Sequence, residues 1–251
     1  MSEFQGFFAE FYDLLHQSCD DARFYPALLR RYGTKVLELG SGTGRIAIPL
    51  AQTGYQVTGI ECEPEMIRLM ERKRYPRENL RVVQADARSF VLDERFDVIL
   101  LDCNFLNHFP DAADVLNILV CCKAHLALHG VVIIDGSAPD AAMMAQTSGE
   151  KEVLEFVTEQ GTVIRDFFEP EYDLLHQIET DVIRLEEWRG SELLRRAETR
   201  EVLTWYYPRE IRSLIREAGL KLLTEGESLQ LDGTARPLGK NAAQMIFVCG
   251  K

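Results

Sequence analysis

The feature that most restricts this chain is a strand-like pentad, apolar but for Lys35 and Glu38, running into alternating glycines: Lys35-Val-Leu-Glu-Leu39, then Gly40-Ser-Gly-Thr-Gly44. The pentad reads as a strand buried on both faces. The glycines read as a turn, and Arg45 to Gln52 continue as a helix stopped by Gly54. The same unit recurs. Gln56–Ile60 predicts a second strand, and Pro64 opens a helix through about Arg74 because proline is tolerated in a first helical turn. Leu80–Gln84 and Phe96–Leu101 predict two more strands, Asp111–Leu128 a helix closed by Gly130, and Val131–Asp135 a fifth strand. Strands separated by helical stretches imply parallel pairing with right-handed crossovers, hence an α/β fold.

Past Pro139 the pattern changes. Residues 162–168, 176–186 and 199–207 are strand-like and separated by polar turns, which predicts an antiparallel sheet inserted into the α/β frame. Pro208 then starts a helix with Ile211, Leu214, Ile215 and Ala218 on one face and Gly219 as its stop, and Leu220–Thr224 and Gln244–Val248 finish as strands. The length of 251 residues suits one large α/β domain carrying such an insertion.

Composition excludes several functions. With 28 Lys+Arg against 40 Asp+Glu the formal charge is −12, and the summed field repels a polyanion. The longest apolar runs, Val131–Ile134 and Ile99–Leu101, fall far short of the roughly 20 residues that span a bilayer. The N-terminus lacks a basic stretch followed by an apolar core, so a soluble, cytoplasmic protein is expected. Cys19, Cys62, Cys103, Cys121, Cys122 and Cys249 form no CxxC pair and are expected to be buried, reduced thiols rather than metal ligands.

A strand, a glycine turn and a helix, followed by a strand ending in an acid, build a nucleotide-type site at the carboxyl ends of parallel strands. The acid is Glu61, 61 − 40 = 21 residues beyond Gly40, where a carboxylate accepts hydrogen bonds from ribose hydroxyls. Dinucleotide sites usually read GxGxxG with pyrophosphate at the helix N-terminus. This loop reads GxGxG, has Arg45 at the sixth place and has Glu38 two residues before Gly40. A carboxylate beside the phosphate site opposes pyrophosphate and favours a ligand with an ammonium group. S-adenosylmethionine fits better than NAD or FAD.

In Val36-Leu-Glu-Leu-Gly-Ser-Gly-Thr-Gly44, Val57-Thr-Gly-Ile-Glu61, Met66, Ala85-Asp-Ala87 and Phe96-Asp-Val-Ile-Leu-Leu101, in that order, the chain resembles the class I S-adenosylmethionine-dependent methyltransferases. The resemblance implies a Rossmann-like, doubly wound, seven-stranded sheet whose last strand is antiparallel. It implies Glu38, Gly40 and Gly42 around the methionyl part, Glu61 on the ribose hydroxyls, Met66 against the adenine, and Asp86 with the Ala87 backbone at the adenine amino edge. Ser41, Cys62, Leu101 and Asp102 join this cofactor set. Arg45 either anchors the ligand carboxylate or sits solvated in a first helical turn, and Met66 serves either the adenine or the core. Phe11-Tyr-Asp-Leu-Leu15, Arg23-Phe-Tyr25 and Trp205-Tyr-Tyr-Pro-Arg-Glu210 look like the N-terminal lid and post-insert segment of the family's small-molecule branch. The resulting division is 1–33 lid helices, 34–140 cofactor-binding core, 150–207 inserted sheet acting as a substrate cover, and 208–251 return to the core.

Candidate acceptor residues follow the fourth strand, in Asp102-Cys-Asn-Phe-Leu-Asn-His108. Asn104 and His108 are the substrate-binding candidates. His108 is the first choice of general base and Tyr12 the second, Tyr12 also being placed to bond the cofactor carboxylate. Cys103 is expected to be an inert thiol. His125 and His129 are expected as cations at a helix C-terminus, and His16 lies near Tyr12. About half of Phe167, Phe168, Trp188, Trp205, Tyr206 and Tyr207 should face a core. The expected activity is methyl transfer to N or O of a small molecule by in-line displacement, without a metal, by a monomer or homodimer. Its rivals are methylation of a protein or RNA, a non-catalytic S-adenosylmethionine-binding partner, and an NAD-dependent oxidoreductase.

Overall fold

A computed structural model describes residues 4–16, 25, 29–149, 151–230, 234–240 and 242–251. Backbone packing divides the chain into two units, one of residues 18–139 and 206–251, the other of residues 1–17 and 140–205.

The larger unit is a seven-stranded sheet in the order β10-β13-β5-β4-β1-β2-β3. Its strands are β1 (Lys35–Leu39), β2 (Gln56–Glu61), β3 (Leu80–Gln84), β4 (Phe96–Leu101), β5 (Leu126–Ser137), β10 (Lys221–Gly226) and β13 (Gln244–Gly250). β1 to β5 pair in parallel, with Glu38 opposite Gly59 on β2 and Leu100 on β4. β13 runs antiparallel to both β5 and β10, as the family resemblance implied for the last strand. A two-strand ribbon, β11 (Ser228–Leu229) with β12 (Ala235–Arg236), is added in the final connection.

Both faces of this sheet are buried, which is why its strands lack polar alternation. One face sets Leu37, Leu39, Ile99, Val132 and Phe247 against α4 (Ala112–His125) and α6 (Pro208–Glu217), which contribute Val115, Ile118, Ile211 and Ile215. The other sets Val36, Val98, Leu100 and Ile133 against Leu50 of α2 (Ala47–Gln52) and Met70 of α3 (Pro64–Arg72). Each fully buried aliphatic side chain contributes about 1.5–3 kcal/mol relative to exposure. The four apolar residues that were expected on one face of the helix after Pro208 are all buried.

The smaller unit carries α1 (Gly6–Leu15), α5 (Ala141–Thr147) and an antiparallel sheet of β6 (Glu152–Val157), β7 (Val163–Asp173), β8 (Ile178–Arg189) and β9 (Glu192–Thr204). Phe8 of α1 packs with Ile164 and Leu185, and Arg195 of β9 clamps the helix by bonding both carboxylate oxygens of Glu10 at 2.7 and 3.0 Å.

Several sequence expectations are corrected. The inserted sheet has four strands rather than three, because β6 is an edge strand whose residues are almost all exposed and carry no alternation. The helix expected through Leu128 stops at His125, and β5 begins at Leu126. Gly130 is not a helix stop: a Cβ there would lie 2.7 Å from the Phe96 carbonyl oxygen, so glycine lets β5 close on β4. His125 does end α4, where its Nε2 accepts from the Leu92 N–H at 2.9 Å and its Nδ1 bonds the Cys121 carbonyl at 2.8 Å. His129 lies exposed in β5. Cys62 and Cys103 are exposed, Cys121 is half-buried, and only Cys122 and Cys249 are buried as expected; Cys19 lies outside the described residues. Of the aromatics from 167 to 207, Trp205 and Tyr206 are buried and Tyr207 is 41% exposed. Among the described residues no helix is long and apolar enough to cross a membrane.

The close approach at Gly130 predicts that Gly130→Ala destabilises the fold by about 1–3 kcal/mol through overpacking. Leu128→Ala, at a residue 80% exposed, should change stability by less than about 0.5 kcal/mol. Urea unfolding of both variants measures the contrast.

Candidate cofactor-binding site

The turn after β1 is built on left-handed backbone, with φ of +72° at Gly40, +51° at Gly42 and +85° at Gly44. Space as well as φ demands glycine at the first and third positions. A Cβ on Gly40 would lie 2.6 Å from the Phe105 ring, and one on Gly44 would lie 2.8 Å from Ile48 and 2.9 Å from Met70. Gly42 is open by comparison, with Met66 Cε at 3.7 Å as the nearest side-chain atom to a Cβ built there. The loop is tied to β2 by the N–H groups of Gly40 and Ser41, which donate to the Ile60 carbonyl at 2.8 and 3.0 Å.

Glu61, at the end of β2, is buried and held by two backbone donors. The Gly42 N–H donates to Oε2 at 2.7 Å and the Glu63 N–H to Oε1 at 2.9 Å. A carboxylate oxygen carries two lone pairs, so each keeps capacity for a further donor. Glu38 is 2% exposed, and burial, then the negative charge of Asp102, pushes its carboxyl well above the ordinary value of 4.5. Arg45 and the Ala47 N–H pull the other way. Glu38 Oε2 and Ser41 Oγ are both buried without a hydrogen-bond partner.

The remaining candidates are placed as follows. Met66 is buried on α3 beside the glycine turn, Leu101 and Asp102 are buried at the end of β4, and Ala87 is buried after β3. Asp86 is held low by Arg88, which bonds its carboxylate through Nε at 2.9 Å and Nη2 at 2.6 Å while also reaching Asp114 at 3.0 Å. Arg45 donates to the Cys103 sulfur. Cys62 is exposed, with its thiol pushed up to about 11 by desolvation and the carboxylates of Glu61 and Glu63.

Cys103 and Asn104 have φ of +55° and +60°, so the chain leaves β4 through two consecutive left-handed residues. Asn104 Oδ1 accepts from the Ser137 N–H at 2.6 Å and joins this turn to the end of β5. His108 ends the short 3-10 turn of residues 105–108 and is exposed. Tyr12 belongs to the other unit, where its ring stacks on His16 at 4.3 Å. One pair escaped sequence reasoning: the buried Tyr25 hydroxyl donates to Asp135 at the end of β5, 110 residues away. Desolvation, then the Asp135 and Asp102 charges, raises the phenol well above its ordinary value. Arg23 and Phe24, read beside Tyr25 as a lid motif, lie outside the described residues.

A glycine turn at the carboxyl end of β1, beside an acid ending β2, in a sheet with an antiparallel last strand, is a Rossmann-like nucleotide site. Comparison with known proteins specifies it further. A family profile described as a methyltransferase domain matches residues 36–130. YqeM of Bacillus subtilis is 29% identical over 135 residues, 53% of this chain and 54% of the relative. A dTDP-3-amino-3,6-dideoxy-alpha-D-glucopyranose N,N-dimethyltransferase of Streptomyces fradiae is 30% identical over 142 residues, with the same two coverages, 53% and 54%. The chain spans about half the length of the curated relatives that head these matches. An amino pentose methyltransferase structure from Micromonospora echinaspora, solved with S-adenosylmethionine, has a TM-score of 0.73 at 18% identity over 99% of this chain and 98% of that one. Residues 36–130 thus match a methyltransferase domain, and the chain shares its fold with a solved S-adenosylmethionine-bound methyltransferase.

The residues present fit that family's cofactor. Two buried polar atoms without protein partners, Glu38 Oε2 and Ser41 Oγ, lie on the glycine turn and its strand, and the surrounding charge is mainly negative, which suits an ammonium and opposes a pyrophosphate.

The raised Glu38 carboxyl makes stability fall with pH. The folded state holds this proton more tightly than the unfolded chain, so the contribution is full below about 4.5 and is lost as pH rises through the folded value. Glu38→Gln should therefore unfold at higher urea than the parent at pH 8, with the two curves converging toward pH 4.5.

Proposed function

We propose that this chain transfers a methyl group from S-adenosylmethionine to nitrogen or oxygen of a small molecule. The observation that carries the reading is Glu61, a buried carboxylate fixed by the Gly42 and Glu63 N–H groups with acceptor capacity left for a ribose diol. When bound, S-adenosylmethionine supplies a sulfonium methyl whose in-line displacement releases a neutral thioether. Glu38 and Asp102 hold the ammonium end, Arg45 the carboxylate, and Gly40, Ser41 and Gly42 the methionyl backbone. Met66 supports the adenine, Asp86 and the Ala87 backbone meet its amino edge with Arg88 sharing Asp86, and Cys62 and Leu101 line the remainder.

The chain's own chemistry is mainly positioning, because alignment of donor and acceptor supplies about 7–11 kcal/mol of a barrier in well-oriented reactions. His108 takes the proton an acceptor must lose, with Tyr12 as second base and cofactor contact. Asn104 keeps its amide N–H₂ for the acceptor, since its carbonyl oxygen serves Ser137. The inserted unit supplies acceptor selection. The charge of −12 supports a small-molecule rather than a nucleic-acid acceptor. The names of the relatives, an amino-sugar dimethyltransferase and an amino pentose methyltransferase, support an amine. We place the protein in the cytoplasm, as a monomer or homodimer.

Radiolabelled methyl transfer from S-adenosylmethionine to an amino-sugar nucleotide panel tests the reading. Label in a small-molecule product is expected; label only in added protein or RNA, or in nothing, overturns it. Glu61→Ala should weaken S-adenosylhomocysteine binding about 10- to 100-fold, the effect of losing charge-assisted hydrogen bonds. With an acceptor in hand, His108→Ala should lower kcat about 10²- to 10⁴-fold while leaving that binding unchanged. Wild-type turnover by His108→Ala removes the base from the account.

A further inference from the structure

The chain leaves β4 through Cys103 and Asn104, both left-handed, and such backbone is unfavourable for residues that carry a Cβ unless the surroundings hold it. Three contacts hold it here. Asn104 Oδ1 takes the Ser137 N–H at the end of β5. The Phe105 ring lies so close to the glycine turn that a Cβ on Gly40 would meet it at 2.6 Å. At the far end the Tyr206 hydroxyl donates to the Phe109 carbonyl at 2.5 Å, across 97 residues of sequence. Phe109 also closes the turn itself, since its N–H donates to the Leu106 carbonyl at 3.1 Å and its ring packs on Phe105 at 5.1 Å. Within residues 105–109 only His108 is exposed.

Tyr206 is suited to a permanent bond rather than to proton transfer. It is 8% exposed, and burial, then the charges of Glu210, Asp111 and Asp114, push its phenol up to about 12. It therefore stays a neutral donor throughout the range in which an imidazole titrates. Its acceptor is the carbonyl of the residue that follows His108, in a turn whose first ring touches the glycine loop. One hydrogen bond thus bears on the exposed imidazole and on the cofactor loop together. Rates of group transfer respond steeply to misplacement on the ångström scale, so a fixed turn matters more to turnover than to binding.

We propose that Tyr206 is a positioning residue for methyl transfer, which fixes His108 relative to the glycine turn by holding the Phe109 carbonyl. The inference rests on the function proposed above, in which His108 takes the acceptor's proton.

A double-mutant cycle in the full chain tests it, with the acceptor that the amino-sugar nucleotide panel labels. Tyr206→Phe keeps the buried ring and loses the donor. It should lower kcat about tenfold while S-adenosylhomocysteine affinity stays within about twofold of the parent. In the His108→Ala background the same change should cost less than about twofold, because it acts through a group already removed. Parental turnover by Tyr206→Phe or by His108→Ala overturns the assignment, and so does a full tenfold loss in the His108→Ala background. Affinity for S-adenosylhomocysteine that falls in step with kcat marks a general loosening and overturns it as well. These outcomes leave methyl transfer by the parent standing, whereas a parent that labels no acceptor defeats the methyltransferase reading and the assignment with it. Amide hydrogen exchange in the parent serves if Tyr206→Phe does not fold. The N–H groups of Asn107 and Phe109, bonded to the Asn104 and Leu106 carbonyls at 2.8 and 3.1 Å, should exchange at least about a hundredfold more slowly than unstructured amides. Exchange at the unstructured rate overturns the positioning role.

Discussion

The bond on which the larger unit's candidate site depends is the one from the Gly42 N–H to Glu61, 2.7 Å long. It joins the crest of the loop after β1 to the end of β2, and with the Ser41 and Gly40 bonds to Ile60 it turns a stretch of left-handed backbone into a fixed cradle. A loop with three positive-φ glycines is entropically unfavourable when free, because glycine loses more backbone freedom on ordering than other residues. Here β1, buried on both faces, and the buried helix α2 hold its ends, and the carboxylate holds its middle. The site is thereby shaped before a ligand arrives, which limits what binding must spend on ordering.

Around that cradle the electrostatics are uneven by construction. Glu38 and Asp102 stand buried at the carboxyl ends of neighbouring strands, and the Glu38 carboxyl is raised by desolvation and by its neighbour. Asp135, at the end of the next strand, is met by a tyrosine hydroxyl rather than left bare. Acids concentrated at strand ends make a region that a cationic headgroup neutralises and a pyrophosphate cannot enter cheaply. The inserted sheet, in contrast, pairs Glu186 and Glu187 with arginines.

Much of the frame was legible in the sequence because burial on both faces leaves mainly apolar runs, as at Val36–Leu39 and Val98–Leu101, and because glycine and proline punctuate the connections. The antiparallel last strand came from family resemblance rather than periodicity. Legibility failed where local pattern and tertiary role diverge. Gly130 looked like a helix stop yet serves strand approach, and β6 is too exposed to alternate. His125 does end its helix, but its bond to the Leu92 N–H had no local signal. The glycine turn was readable from its strand–turn–helix pattern, and Glu61 as an acid ending the next strand from its spacing. The Tyr25–Asp135 bond was not, because no local signal links residues 110 positions apart. Nor was the pairing of Glu187 with Arg195, since a strand pattern gives a side chain's face but not which charges cross it.

The central claim is that this glycine turn, with Glu38 behind it and Glu61 beneath it, accepts the adenosyl cofactor and rejects a dinucleotide. A thermal-shift titration of the purified chain with S-adenosylmethionine, S-adenosylhomocysteine and NAD tests it most directly. A ligand that binds only the folded state stabilises it by about 2.7 kcal/mol at a hundredfold excess over its dissociation constant, several degrees for a protein of this size. The account predicts such a rise with both adenosyl ligands and none with NAD. A rise with NAD alone would contradict it.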